Sequence, residues 1–62
     1  MAVFEVAYVD DRPVERVSAQ WLEPQGRHWV LMITCVMINR PRAVVALRVP
    51  MAEVRAIYQL SP

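Results

Sequence analysis

His28-Trp29-Val30-Leu31-Met32-Ile33-Thr34-Cys35-Val36-Met37-Ile38 is the stretch whose reading sets the fold class. Successive side chains of a strand point to opposite faces. One face would carry Trp29, Leu31, Ile33, Cys35 and Met37, and the other Val30, Met32, Thr34, Val36 and Ile38. Both faces are apolar. A strand with water on one side alternates apolar and polar residues, so this segment is expected to be central and covered twice, or to lie under a partner. As a helix, its apolar run from Trp29 to Ile38 falls short of the about 20 residues that cross a bilayer, and no membrane contact is expected.

Turn chemistry brackets the segment. Glu23-Pro24-Gln25-Gly26-Arg27 precedes it and holds the only glycine, so Gly26 is the first choice for a positive φ. Asn39-Arg40-Pro41-Arg42 follows it. Upstream, Val14 to Leu22 alternates Val17, Ala19 and Trp21 against Arg16, Ser18 and Gln20, the pattern of a half-buried strand. Farther upstream, Ala2, Phe4, Val6 and Tyr8 share one face of a strand that Asp10-Asp11-Arg12-Pro13 ends. Downstream, Ala43, Val45, Leu47 and Val49 are expected inward, with Arg42, Val44, Ala46 and Arg48 outward.

The tail from Pro50 to Leu60 admits two readings. A single helical turn at Met51 to Glu53 with a final strand is one, and it puts Ala56, Tyr58 and Leu60 at period two. A helix from Met51 to Gln59 is the other, with Met51, Val54, Ile57 and Tyr58 on one stripe. Short strands at even spacing with turns between them point to a single all-β domain over residues 1–62, an antiparallel meander of four or five strands.

Val49-Pro50-Met51-Ala52-Glu53-Val54-Arg55-Ala56-Ile57 resembles the closing segment of SH3-like small barrels. In those proteins a Val/Ile-Pro pair ends the fourth strand, one 3₁₀ turn follows, and the last strand opens with Val. The resemblance implies an SH3-like barrel or half-barrel. The aromatic Ala-Leu-Tyr run of peptide-binding members is replaced here by Phe4-Glu5-Val6-Ala7-Tyr8, and their paired tryptophans are missing. What the resemblance implies is therefore architecture, and the proline-peptide site is not carried over.

A chain of 62 residues buries only about 60% of the surface that its unfolded form exposes, so something must reinforce the fold. Cys35 and His28 are the only cysteine and histidine, which excludes an internal disulfide and a zinc site built on several Cys and His ligands. No cofactor is expected. The remaining reinforcement is apolar, and 56% of the residues are of that kind.

The net charge is +1, with every positive side chain an arginine; a coding bias explains the missing lysines more simply than phosphate recognition does. The N-terminal residues lack the basic and apolar regions of a signal peptide. Together with one unpaired, apolar-flanked thiol, this gives the expectation of a cytoplasmic protein.

Nucleophilic catalysis needs a nucleophile, a base and an orienting group. Cys35 and His28 are seven residues apart, so on one strand they point to opposite faces, and Cys35 reads as a small core hydrophobe. Asp10, Asp11 and Glu15 read as a solvated turn, and one glycine cannot make a phosphate loop. The chain is expected not to be an enzyme and to have no small-molecule substrate.

What is left is surplus apolar surface. Val30, Met32, Val36 and Ile38 on one face of the central strand, with Val44 and Ala46 on its neighbour, are expected to form a protein interface. The partner would be a second copy or an obligate protein. The alternative is nucleic-acid binding, with Arg27, His28, Arg40 and Arg42 on the phosphates and Trp29 stacking on a base.

Overall fold

The computed structural model describes residues 1–62. Alternation along the chain becomes two three-stranded antiparallel sheets, and the all-β class is the one found. In the first sheet, β1 (Ala2–Tyr8) lies between β2 (Glu15–Ala19) and β6 (Val54–Ser61); in the second, β4 (His28–Met37) lies between β3 (Trp21–Gln25) and β5 (Arg40–Pro50). One 3₁₀ turn, Met51–Glu53, links β5 to β6. The tail thus takes the reading of one turn and a strand. Extended backbone resumes at Val54, where the tail pairs with β1, Tyr8 opposite Val54 and Val6 opposite Ile57.

The even residues of β1 make the core. Val6 is fully buried, with Ala2, Phe4 and Tyr8 nearly so, and they pack with Ala19, Leu31 and Val49. Val17, Leu22, Trp29, Leu47, Val54 and Ile57 close its rim. Full burial of a Val or Leu side chain is worth about 1.5–3 kcal/mol, so Val6 and Leu31 are major contributors in so small a core.

The strand count is six, not four or five, because the segment Val14 to Leu22 breaks at Gln20. Gln20 passes the chain from one sheet to the other. Its N–H donates to the Met32 carbonyl at 2.8 Å, and its side-chain oxygen accepts from the Thr34 N–H at 2.6 Å. Ala19 before the break is buried, whereas Trp21 after it is 36% exposed. The single face expected for Val17, Ala19 and Trp21 does not exist. The sheets do not close into a barrel either: a cleft of about 230 Å³ lies between β6 and the second sheet, lined by Leu22, Trp29, Val54, Ala56 and Ile57.

A second departure lies in β5. Leu31 pairs with Leu47, yet Met32 pairs with Val45, so Ala46 is an extra residue in a β-bulge. A one-residue insertion exchanges the two faces beyond it. Val44 consequently pairs with Ile33 on the face of Leu31 and Leu47, and Val45 turns to the opposite face with Met32. The expected inward set of Ala43 and Val45, and the expected outward position of Val44, are thereby reversed.

β3 ends its pairing with β4 at Trp21 and Met32. Beyond that row, β4 and β5 continue to Met37 and Arg40 as a two-stranded ribbon, and the molecule is 42 Å in its longest dimension. The two turns at the ends of β4 differ. Gly26 alone has positive φ (59°) in the first, while Ile38 (50°) and Asn39 (60°) both do in the second. These are the signatures of type II′ and type I′ hairpins respectively.

A β-branched residue at positive φ is a steric outlier, and such positions cost about 1–3 kcal/mol. Asn tolerates this region far better. Ile38→Asn is therefore expected to stabilise the chain by about 1 kcal/mol, raising the melting temperature by about 4–8 °C in a thermal scan followed by circular dichroism. A melting point that stays put or falls would contradict the strain at this tip.

Candidate functional site

The register of β4 with its neighbours gives the arm two chemically different faces, since directly opposed residues of an antiparallel pair share a face. The outer face is built of the rows Trp21–Met32–Val45, Thr34–Ala43 and Val36–Pro41. It holds no charge, and Val36 is 74% and Val45 52% exposed. The inner face is built of Ile33–Val44, Cys35–Arg42 and Met37–Arg40. Towards the tip, Met37, Ile38, Arg40 and Arg42 line an open concavity of about 500 Å³.

The residues expected at a protein interface are divided by this geometry. Val36 and Ile38 are exposed along the arm, and Ala46 is exposed at the bulge. Val44 is half-buried on the inner face. Val30 and Met32 are enclosed by their own chain, at 0% and 6% exposure, and offer no surface. They lie in the central strand where β3 and β5 flank it on both sides, with Glu23 and Arg48 beside Val30 and Trp21 and Val45 beside Met32. Val45 and Ala43 are the outer-face residues that the alternation of β5 misplaced.

The residues expected to contact nucleic acid are not brought together. Arg27 and His28 stand at the first end of β4, and Arg40 and Arg42 oppose its last residues. Ten residues of strand separate these ends by about 30 Å. The Arg27 backbone is occupied, its carbonyl accepting from the Met51 N–H at 2.8 Å. Trp29 is half-buried, packed against the core and lining the cleft beside β6, away from Arg40 and Arg42.

Charge is segregated along the chain. All six acids lie outside residues 24–52, and that segment carries Arg27, Arg40, Arg42 and Arg48. The ion pairs all lie outside that segment: Arg12 with Asp10 at 2.9 Å, Arg12 with Glu53 at 2.8 Å, and Arg16 with Glu5 at 3.2 Å. The four arginines of residues 24–52 have no acidic partner.

Cys35 lies outside the core, half-buried on the arm. His28 sits seven residues away on the same strand, about 23 Å off and facing the other way. No cluster of three or more His, Cys, Asp or Glu side chains occurs, and no helix is long and apolar enough to cross a membrane.

The acidic turn closes the far end of the body. The Asp10 carboxylate accepts from the Arg12 backbone N–H at 3.0 Å, an Asx turn. The Arg12 side-chain bonds, with that backbone bond, hold Asp10 below its usual carboxylate range. The Arg12 guanidinium lies 4.1 Å from the centre of the Tyr8 ring, and the Val9 N–H donates to the Glu53 carbonyl at 3.0 Å. Exposed ion pairs of this sort are worth about 0–1 kcal/mol each, so the cluster fastens a turn to the 3₁₀ segment without dominating stability. The buried Tyr8 donates its hydroxyl to Glu15.

Comparison of the chain with protein-family models, with curated proteins and with solved structures returns no match.

Burial of Tyr8, followed by its bond to Glu15 and that group's charge, pushes the phenol from 10.0 up to about 12. Since the folded value is the higher one, the contribution is complete below pH 10.0 and is lost as pH rises through about 12. Urea midpoints should therefore fall between these limits in the wild-type chain and fall less in Tyr8→Phe. That variant should also lose about 1 kcal/mol at neutral pH. Parallel alkaline losses in both proteins would show that Tyr8 is not the group responsible.

Proposed function

We propose that this chain is a non-enzymatic interaction module that associates with a second copy of itself through the outer face of the β4–β5 arm. The observation that carries the proposal is the ribbon beyond Met32 and Val45, two strands wide and without a third strand beside it. A lone two-stranded hairpin is marginal in water. The uncovered apolar residues Val36, Ala43 and Val45 give it a reason to seek cover.

A second copy suits this face better than an unrelated protein does. A two-fold axis lays the same patch on itself, so a patch whose charges are all of one sign offers its copy no opposite charge to pair with. The outer rows contain none, whereas the inner face carries Arg40 and Arg42. The three outer rows make a strip of roughly 15 Å by 10 Å. That is well short of the about 800 Å² per partner of a standard interface, so the dimer is weak and depends on concentration.

The same proposal takes the architecture as an open variant of the SH3-like barrel. Supporting it, Val49 and Pro50 end β5, one 3₁₀ turn follows, Val54 opens β6, and β6 returns to pair with β1. The unpaired thiol of Cys35 suits the reducing cytoplasm proposed as its compartment.

Sedimentation over a micromolar-to-millimolar series tests the reading. The wild-type mass should rise above the 7.2 kDa of one chain as concentration increases, and Val45→Asp should remain at 7.2 kDa while staying folded, because Val45 is half exposed. Met32→Asp, which places a charge in the interior, should unfold the chain instead. A wild-type protein that remains monomeric at the highest concentration would remove the second copy from this face.

A further inference from the structure

The inner face and tip of the arm carry chemistry that self-association through the outer face leaves unused. Ile38 is 94% exposed and Met37 53% exposed. Arg40 and Arg42 flank the same concavity, on alternate residues of β5 and hence about 7 Å apart along the strand. No acid occurs between Glu23 and Glu53, and neither Arg40 nor Arg42 takes part in an ion pair. An apolar point held at positive φ, with unpaired guanidinium groups set just behind it, is matched to a ligand that offers phosphates around an apolar interior.

We propose that the β4–β5 arm enters the minor groove of duplex DNA, with Arg40 and Arg42 on the flanking phosphates and Ile38 wedged between base pairs. Aliphatic wedges, with Ile and Met among those used, part base steps from the minor-groove side and kink the duplex by about 20–90°. Arginine forks hold phosphate oxygens in a fixed geometry.

Other polyanions fit the tip less well. Single strands are gripped by stacking on aromatic rings, and the chain from Met32 to Pro50 contains none. An anionic membrane is met by an amphipathic helix with a long apolar face, whereas the tip is a β-hairpin offering only Met37 and Ile38. Duplex RNA presents a wide, shallow minor groove that would not grip a narrow tip.

The inference is independent of self-association, since the two surfaces are opposite faces of the ribbon. The test uses the full chain and a short DNA duplex labelled at both ends, with anisotropy reporting binding and energy transfer reporting the bend. Binding should weaken steeply with salt, and the double variant Arg40→Ala/Arg42→Ala should reduce the log–log salt slope by about 2 per arm engaged. Ile38→Asn should bind about tenfold more weakly, with the end-to-end shortening lost, even though this variant is folded. Val45→Asp should keep duplex binding whether or not it dimerises.

Several results would overturn the proposal. No duplex binding at low salt is one, and binding indifferent to the arginine pair is another. A bend unchanged by Ile38→Asn would remove the wedge. Tighter binding to the single strand, to duplex RNA or to phosphatidylserine vesicles than to duplex DNA would reassign the tip to that partner.

Discussion

β4 and β5, ten and eleven residues long, are longer than anything that can cover them. The strands opposite have seven, five and eight residues, and β3 has five. Where the layers overlap, both faces of β4 are buried, and Val30, Leu31 and Met32 are all enclosed. Where the overlap ends, the same apolar alternation runs on without cover. This mismatch of length gives the molecule a body with a small core and an arm with none. A further layer would hide such a ribbon, and the two sheets of residues 1–62 do not supply one.

The segregation of charge follows the same division. The ion pairs belong to the body, where Arg12 ties the Asp10 turn to Glu53 and covers the Tyr8 ring, and Arg16 of β2 reaches Glu5 of β1. A net charge of +1 therefore describes neither part. The exposed pairs of the body are individually weak, and they engage Glu5, Asp10 and Glu53, while the chain between Glu23 and Glu53 holds no acid at all. The arginines of the arm are left to face solvent, or whatever meets the tip.

Much of this was legible in residues whose local preference and tertiary setting agree. The even positions of β1 face the core as their alternation indicates, Gly26 takes the positive φ that its turn needs, and Pro50 divides extended from helical backbone. The rest turns on single residues without a distinguishing mark. Gln20 is an ordinary polar residue on an alternating strand, and its role as the crossing point depends on Met32 and Thr34, which are distant in sequence. Ala46 is the bulge in β5, where neither Gly nor Pro signals an extra residue, so Val44 and Val45 exchange faces unannounced. The surplus of apolar side chains was visible in composition; its location was not, because alternation is silent about where the opposing layer stops. The same silence put Val30 and Met32 on an expected interface and Cys35 in an expected core.

Ile38 is where local and global preferences disagree most openly. A type I′ turn favours Asn or Gly at both central positions, and Asn39 conforms while Ile38 does not. A β-branched side chain there gains no burial to offset its backbone cost, since it is the most exposed large hydrophobic residue in the protein. Folding alone would favour almost any small polar residue at this position. Departures from local consistency that lack compensation within the fold mark places where something other than folding sets the residue. Placed at the point of an arm that the body does not cover, with Arg40 and Arg42 behind it, the isoleucine would gain burial only against a surface from outside the fold, which is the condition that the proposed tip contact meets.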